Sequence, residues 1–126
     1  MIVIDASALI DSFLGDPHIA AAIRGQELHA PVTVDAEVIH ALRRALIRGV
    51  VVLAEVESAI DLLLGTYIVR HPIQPVVRRM WALRHNIAAY DAGYVALAES
   101  LNVPLITRDR RLSQSSGHAA RIEYID

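Results

Sequence analysis

The chain has no cysteine and no lysine. Without cysteine there are neither disulfides nor thiolate metal sites, and a reducing compartment fits that composition. Without lysine, three enzyme classes drop out. A P-loop lacks its phosphate-reaching amine, a Schiff-base enzyme its nucleophile and a protein kinase its strand lysine. All 12 basic residues are arginine. Arginine is the better planar, bidentate partner for phosphate and carboxylate, although coding bias in a GC-rich genome explains the preference without any function. Strong charge of either sign is also missing, because 14 acids leave a formal net charge of −2. That argues against a protein that coats nucleic acid through a basic field. It does not argue against an enzyme that holds its substrate through a metal and local arginines. Long apolar runs are missing too. Met1–Ile4 precedes Asp5 and is far too short for a signal peptide or a membrane span. A soluble, cytoplasmic chain without membrane contact is expected. At 126 residues, 54% of them hydrophobic, one domain over 1–126 with a real core is expected.

Strand and helix signals alternate along the chain. Ile2–Ile4 reads as a buried strand and Ser7–Leu14 as a helix. Asp16-Pro17 offers a cap and a first-turn proline for a short helix to Arg24. Glu27–Ala30 is a weak strand. Pro31–Thr33 forms a turn, with Thr33 capping a helix over Ala36–Arg48. Further helices are expected over Leu53–Leu64, Pro75–His85 and Tyr90–Leu101. Tyr67–Val69, Val103–Ile106 and Arg121–Ile125 read as strands, Arg108–Leu112 as a short helix and Gln114–His118 as a loop. Strands alternating with helices predict an α/β fold, a three-layer sandwich around a central parallel sheet.

Four acids fall where such a sheet exposes its carboxyl edge. Asp5 follows the first strand and Asp109 follows Val103–Thr107. Glu37 and Asp91 lie in the first turns of helices. Ligands bind outside the carboxyl ends of parallel strands, and the following helices begin there. Each acid also has a bland role. Asp5, Asp91 and Asp109 suit helix caps; Glu37 suits a helix dipole, with Asp35 competing for that place. Their joint placement is what points further. Crowded carboxylates are costly to ionise together, and a hard divalent cation removes that cost. A metal-dependent nuclease is the expectation. The six histidines show no zinc-helix spacing and read as surface or core-edge residues. Arginine pairs such as Arg43-Arg44 and Arg78-Arg79 read as solvated faces. Arg108, Arg110 and Arg111 flank the proposed site and are candidates to contact RNA phosphates.

The stretches Ile2-Val3-Ile4-Asp5-Ala6-Ser7, Ala30-Pro31 with Glu37-Val38, Tyr90–Ala98 and Leu105–Leu112 occur in one order along the whole chain. In them the sequence resembles the PIN-domain ribonucleases, specifically toxins of the VapC type from type II toxin–antitoxin pairs. Tyr90–Leu112 is the most specific part. The resemblance implies a PIN-like fold and acids around one or two Mg²⁺ or Mn²⁺ ions. It maps metal-binding and catalytic roles onto Asp5, Glu37, Asp91 and Asp109, with Ser7 and Thr107 in support. The implied chemistry is metal-assisted, in-line attack of water on an RNA phosphodiester. It also implies a cognate antitoxin whose tail covers the acidic pocket, where an arginine could replace the cation. Val50–His85 carries no motif of the family. Two other classes remain open. A receiver-like phosphotransfer domain would need the lysine that is absent. A catalytically silent nucleic-acid- or protein-binding module on the same fold is disfavoured by acids at all four positions. The Leu53–Leu64 helix, with Val56, Ile60, Leu63 and Leu64, carries more apolar surface than one core-facing stripe needs. A homodimer or an antitoxin contact is expected there.

Overall fold

A computed structural model describes residues Met1–Asp126. Its core is one five-stranded sheet in the order β3-β2-β1-β4-β5. The strands are β1 (Ile2–Ile4), β2 (Leu28–Pro31), β3 (Ile68–His71), β4 (Leu105–Thr107) and β5 (Ile122–Tyr124). All four pairings are parallel. β1, β2 and β4 are buried at every residue, as expected of strands covered on both faces.

Helices α1 (Ala6–Phe13), α2 (Pro17–Ile23), α3 (Val34–Ile47) and α4 (Leu53–Gly65) make the β1-to-β3 crossovers. They pack on one another as one layer. α5 (Val77–Ala82) and α6 (Ala89–Leu101) join β3 to β4 and form the other layer, α6 lying on β1 and β2. α7 (Arg110–Ser113) joins β4 to β5. The result is the three-layer α/β sandwich expected from the alternating pattern. Because the chain reverses direction across the sheet between β3 and β4, β1 and β4 border the switch point. A crevice opens there, at the carboxyl ends of the strands.

α6 is the central helix. Ala92 to Ala98 are buried without interruption, so this helix has no solvent stripe through its middle. Small residues make that possible. A Cβ added at Gly93 would sit 3.8 Å from both Met80 Cε and Pro31 Cγ, ordinary contact distances. Asn102 ends the helix at φ 54°, a left-handed position that asparagine tolerates better than most residues.

Several boundaries differ from the sequence expectation for identifiable reasons. β4 begins at Leu105 rather than Val103, because Pro104 has no N–H for the ladder. α3 begins at Val34 rather than Ala36, and the Thr33 side chain makes no cap hydrogen bond. The expected Pro75–His85 helix is a 3₁₀ turn, Gln74–Val76, followed by the short α5. Its end tightens as Leu83 N–H is shared between the Arg79 and Met80 carbonyls. His29 is buried in β2 rather than at the surface. It stands 2.8 Å from His71 Nε2 and 2.6 Å from Glu27 Oε1. In α4, Val56 and Leu63 belong to the core while Leu64 is 79% exposed. The outward apolar surface comprises Leu53, Leu62 and Leu64, with Ile47, Val50 and Val52 before the helix.

Candidate active site

β1 and β4 end side by side, with Ile4 opposite Ile106. The residues after them are tied together by hydroxyls. Asp5 is the N-cap of α1, its Oδ1 accepting from Ala8 N–H at 2.9 Å and from Ser7 Oγ at 2.7 Å. Its Oδ2 accepts a short hydrogen bond from Thr107 Oγ1. That threonine oxygen in turn accepts from Asp109 N–H at 2.9 Å. Ser7 Oγ accepts from Arg108 N–H at 3.2 Å. Ser7 and Thr107 therefore fix the two strand ends relative to one another, and they do so through neutral donors.

Asp109 caps α7 by accepting from Arg111 N–H at 2.9 Å and Leu112 N–H at 3.3 Å. Asp5 and Asp109 are thus caps as well as site candidates. Asp91 is not a cap, because α6 begins at Ala89 with Ala88 in the cap position. Asp91 sits in the first turn, where a carboxylate favours the helix dipole. Glu37 in the first turns of α3 accepts from Tyr94 Oη at 2.5 Å. Tyr94 lies one turn after Asp91 on α6, so the two share a helix face. That i, i+3 relation was the available sequence signal for Tyr94, which reading the acids alone passes over.

The fold brings all four acids into mutual electrostatic range. Burial pushes the Asp5 carboxyl above its usual pKa, with the Thr107, Ser7 and Ala8 hydrogen bonds opposing and the Asp109 charge adding. Burial also raises Glu37, against the Tyr94 hydrogen bond and with the Asp91 and Asp5 charges adding. Asp91 is raised by burial, then by Asp109 and Asp5, and Arg111 opposes. Tyr94 is held firmly neutral by burial and by its bond to Glu37. None of the ion pairs involves Asp5, Glu37, Asp91 or Asp109. The donor chemistry suits a hard cation: several oxygens, crowded and lacking a cationic side-chain partner. No group of three acid or histidine side chains stands at ligating geometry as oriented. Both oxygens of Asp5 are engaged by nearby donors, as is one oxygen each of Glu37 and Asp109.

A cleft of about 250 Å³ opens beside Asp91 and Asp109, with Asn86, Ile87, Arg111 and Ser115 among its walls. The three arginines expected to contact RNA separate here. Arg111 lines the cleft. Arg110 lies over the Tyr124 ring, 4.8 Å from its centroid. Arg108 is held by Asp11 at 3.3 Å and Asp16 at 3.0 Å, and its Nη1 is buried without a partner.

Comparison with known proteins bears on this arrangement. The PIN domain family matches residues 2–117. Ribonuclease VapC12 of Mycobacterium tuberculosis is 42% identical over 128 aligned positions, covering 99% of each chain. The crystal structure of PAE2754 from Pyrobaculum aerophilum superimposes with a TM-score of 0.69 at 25% identity. It covers 96% of this chain and 81% of that one. VapBC2 from Rickettsia felis, solved bound to a DNA fragment from its promoter, gives a TM-score of 0.72. It covers 100% of both chains, and at 14% identity this likeness shows the shared fold. The chain belongs to the PIN-domain family and, within it, to the VapC type.

Proposed function

We propose that this PIN-domain chain is a Mg²⁺- or Mn²⁺-dependent endoribonuclease that acts as the toxin of a toxin–antitoxin pair. The observation that carries the reading is the crowding of Asp5, Glu37, Asp91 and Asp109 at the switch point with no ion pair to arginine, Arg111 acting on Asp91 without pairing. Like charges so placed raise one another's pKa and leave the cation to come from solution. The name of the M. tuberculosis relative supports the same activity. Asp5, Glu37, Asp91 and Asp109 would hold the ion, and Glu37 or Asp91 would orient the attacking water. A bound divalent ion would polarise a phosphoryl oxygen and lower the pKa of water. Ser7 and Thr107 keep Asp5 in place by their hydrogen bonds, and Tyr94 does so for Glu37. Arg111, on the cleft wall, would meet a neighbouring phosphate. No side chain supplies a covalent nucleophile, because Ser7 has no histidine base and instead donates to Asp5.

The outward apolar surface from Ile47 to Leu64 is the proposed contact for the antitoxin or for a second copy. No helix is long and apolar enough to cross a membrane. The deciding experiment incubates the purified, antitoxin-free protein with total cellular RNA and Mg²⁺, then maps new 5′ ends. Defined cuts that vanish in EDTA are the expected result. Cutting that persists unchanged in EDTA would sink the metal mechanism, and no cutting with either ion would sink the ribonuclease reading. Light scattering tests the homodimer. A monomer at tens of micromolar, roughly the range where a weak interface still populates dimer, would leave the antitoxin as the partner for that face.

A further inference from the structure

Trp81 stands apart from the core. It is 68% exposed and is the only tryptophan in the chain. Large apolar rings left this open mark interaction sites more often than scattered small apolar residues do. Trp81 and Val77 border two shallow grooves, one shared with Gln74 and Arg78 and the other with Arg84 and Ile87. The Arg84 guanidinium lies 4.5 Å from the centre of the indole. Neither groove is lined by an acid. The second groove adjoins the acidic cleft, with Ile87 and Ala88 in the walls of both.

Arg111 lines the acidic cleft, Arg84 the groove that shares walls with it, and Arg78 the other groove bordered by the indole. No carboxylate forms an ion pair with any of them, whereas Arg70 and Arg79 each have one and Arg108 has two. An exposed aromatic ring flanked by arginines without carboxylate partners is how proteins hold single-stranded nucleic acid: bases stack and backbone phosphates meet guanidinium groups. Arg84 covers part of the indole and donates to the Trp81 carbonyl at 2.9 Å, and the ring is still largely open. A second copy of the chain suits the face poorly. A two-fold interface sets a patch against itself, which would bring Arg78 and Arg84 against their own counterparts with no acid between them. A base-paired duplex suits it no better, since its bases are not free to stack on a side chain.

We propose that Trp81 is a base-stacking subsite for single-stranded RNA next to the scissile phosphate, with Arg84 and Arg78 on the flanking backbone. This rests on the ribonuclease reading and adds where the substrate lies. It also assigns a role to a residue in Val50–His85, the part of the chain without a family motif.

Because the indole is unique, its fluorescence reports on its own occupancy. The test titrates Asp5→Asn protein, expected to be inactive, with an unstructured oligoribonucleotide of about eight nucleotides, within the usual span of such sites. Saturable quenching is expected. With active protein, Trp81→Ala should raise KM about tenfold to a hundredfold and leave kcat nearly unchanged. Trp81→Phe should restore most of the affinity. Arg84→Ala and Arg78→Ala should each reduce the salt dependence of binding by about one phosphate contact. Active cleavage without quenching, and with KM unmoved in Trp81→Ala, would overturn the subsite and leave the ribonuclease intact. Quenching without any cleavage by the unsubstituted protein would uphold RNA stacking and overturn the ribonuclease. Absence of both would overturn both. A Trp81→Ala protein that loses a dimer in light scattering, with KM unmoved, would make the face an interface between copies and overturn the proposal.

Discussion

The acids of this chain live in two kinds of surroundings. Away from the strand ends, four of them are matched with arginine. Arg70 grips Asp35 through two hydrogen bonds of 2.6 and 2.7 Å. Arg79 grips Glu99 at 2.8 and 2.9 Å, and Arg108 lies between Asp11 and Asp16. At the β1–β4 switch point the acids meet serine, threonine, tyrosine and each other. Arginine is abundant enough to have been placed there, and Arg111 comes near enough to act on Asp91 without pairing. A fold that needed only stability would neutralise that cluster. Leaving it unneutralised makes sense when an external cation supplies the positive charge.

The largest effect should come from removing one of the unpaired acids. Asp5→Asn keeps an oxygen to cap α1 through Ala8 N–H but removes a ligand charge. Changes to groups that merely support a metal ligand commonly cost about 10–100-fold, so cleavage should fall by more than about 100-fold. The fold should survive, and the metal-free variant should melt no lower than the parent. Cleavage of a labelled RNA near the parental rate would reduce Asp5 to a helix cap and erase the contrast between the two kinds of acid.

Next in size is the response to cation alone, with no RNA present. A ligand at a hundred times its Kd stabilises the folded state by about 2.7 kcal/mol. For a domain of this size that is roughly 5 °C or more in Tm. Mg²⁺ or Mn²⁺ should raise the melting temperature by that order, EDTA should reverse it, and Asp91→Asn should shrink it. The Glu99→Gln protein should keep the full shift, because its partner is Arg79. An equal loss in both variants would mean that the cation acts on general surface charge.

Much of this was legible in the sequence, for physical reasons that differ by region. Strands such as Ile2–Ile4 announce themselves because burial on both faces demands unbroken β-branched runs. Asp5 could be placed because it directly follows such a run, and Asp109 because it follows one after a single intervening residue, Arg108. Asp91 was legible as a first-turn residue but not as a non-cap, since the start of α6 at Ala89 has no capping side chain to mark it. Tyr94 was hidden among the apolar residues of a wholly buried helix segment. Arg108 was grouped with Arg110 and Arg111 by adjacency. Only tertiary packing reveals that Asp11 and Asp16, far away in sequence, hold it. The exposure of Trp81 was equally out of reach, because it depends on which face of α5 the fold covers. His29 was misread because its partner His71 lies on the neighbouring strand.

Arg108 gives a third, smaller test. Its expected phosphate role competes with the ion pairs that engage it. Arg108→Ala should cost about 1–2 kcal/mol of stability, the scale of partly buried charged hydrogen bonds. Its KM for RNA should stay close to the parental value, while Arg111→Ala should raise KM with little change in stability. Denaturant titration and steady-state kinetics on the two variants read these separately. A rise in KM for Arg108→Ala at unchanged stability would place it with the substrate-binding arginines after all.

The smallest effects lie in the pH dependence of metal-free protein, where Glu37 from the cluster and Glu99 from the arginine-paired acids should move in opposite directions. Glu37 has its pKa raised by burial, with the Asp91 and Asp5 charges adding and Tyr94 opposing, so folding favours its protonated form. The stability this lends is complete below the ordinary glutamate pKa and is lost as pH rises through the raised folded value. Glu99 has its pKa lowered by its Arg79 hydrogen bond first, with Ala119 N–H helping against a burial cost. Its contribution is present above the ordinary pKa and is lost as pH falls through the lowered folded value. Relative to the parent, Glu37→Gln should therefore gain stability as pH rises from acid toward neutral. Glu99→Gln should be less stable than the parent at neutral pH, with the gap closing on acidification. Both variants, unfolded in denaturant with EDTA between roughly pH 3 and 7, give stability differences whose slopes carry opposite signs if the two surroundings differ as described. Slopes of the same sign would mean that Glu37, like Glu99, is stabilised as an anion by its neighbours, and the case for an external cation would lose its electrostatic basis.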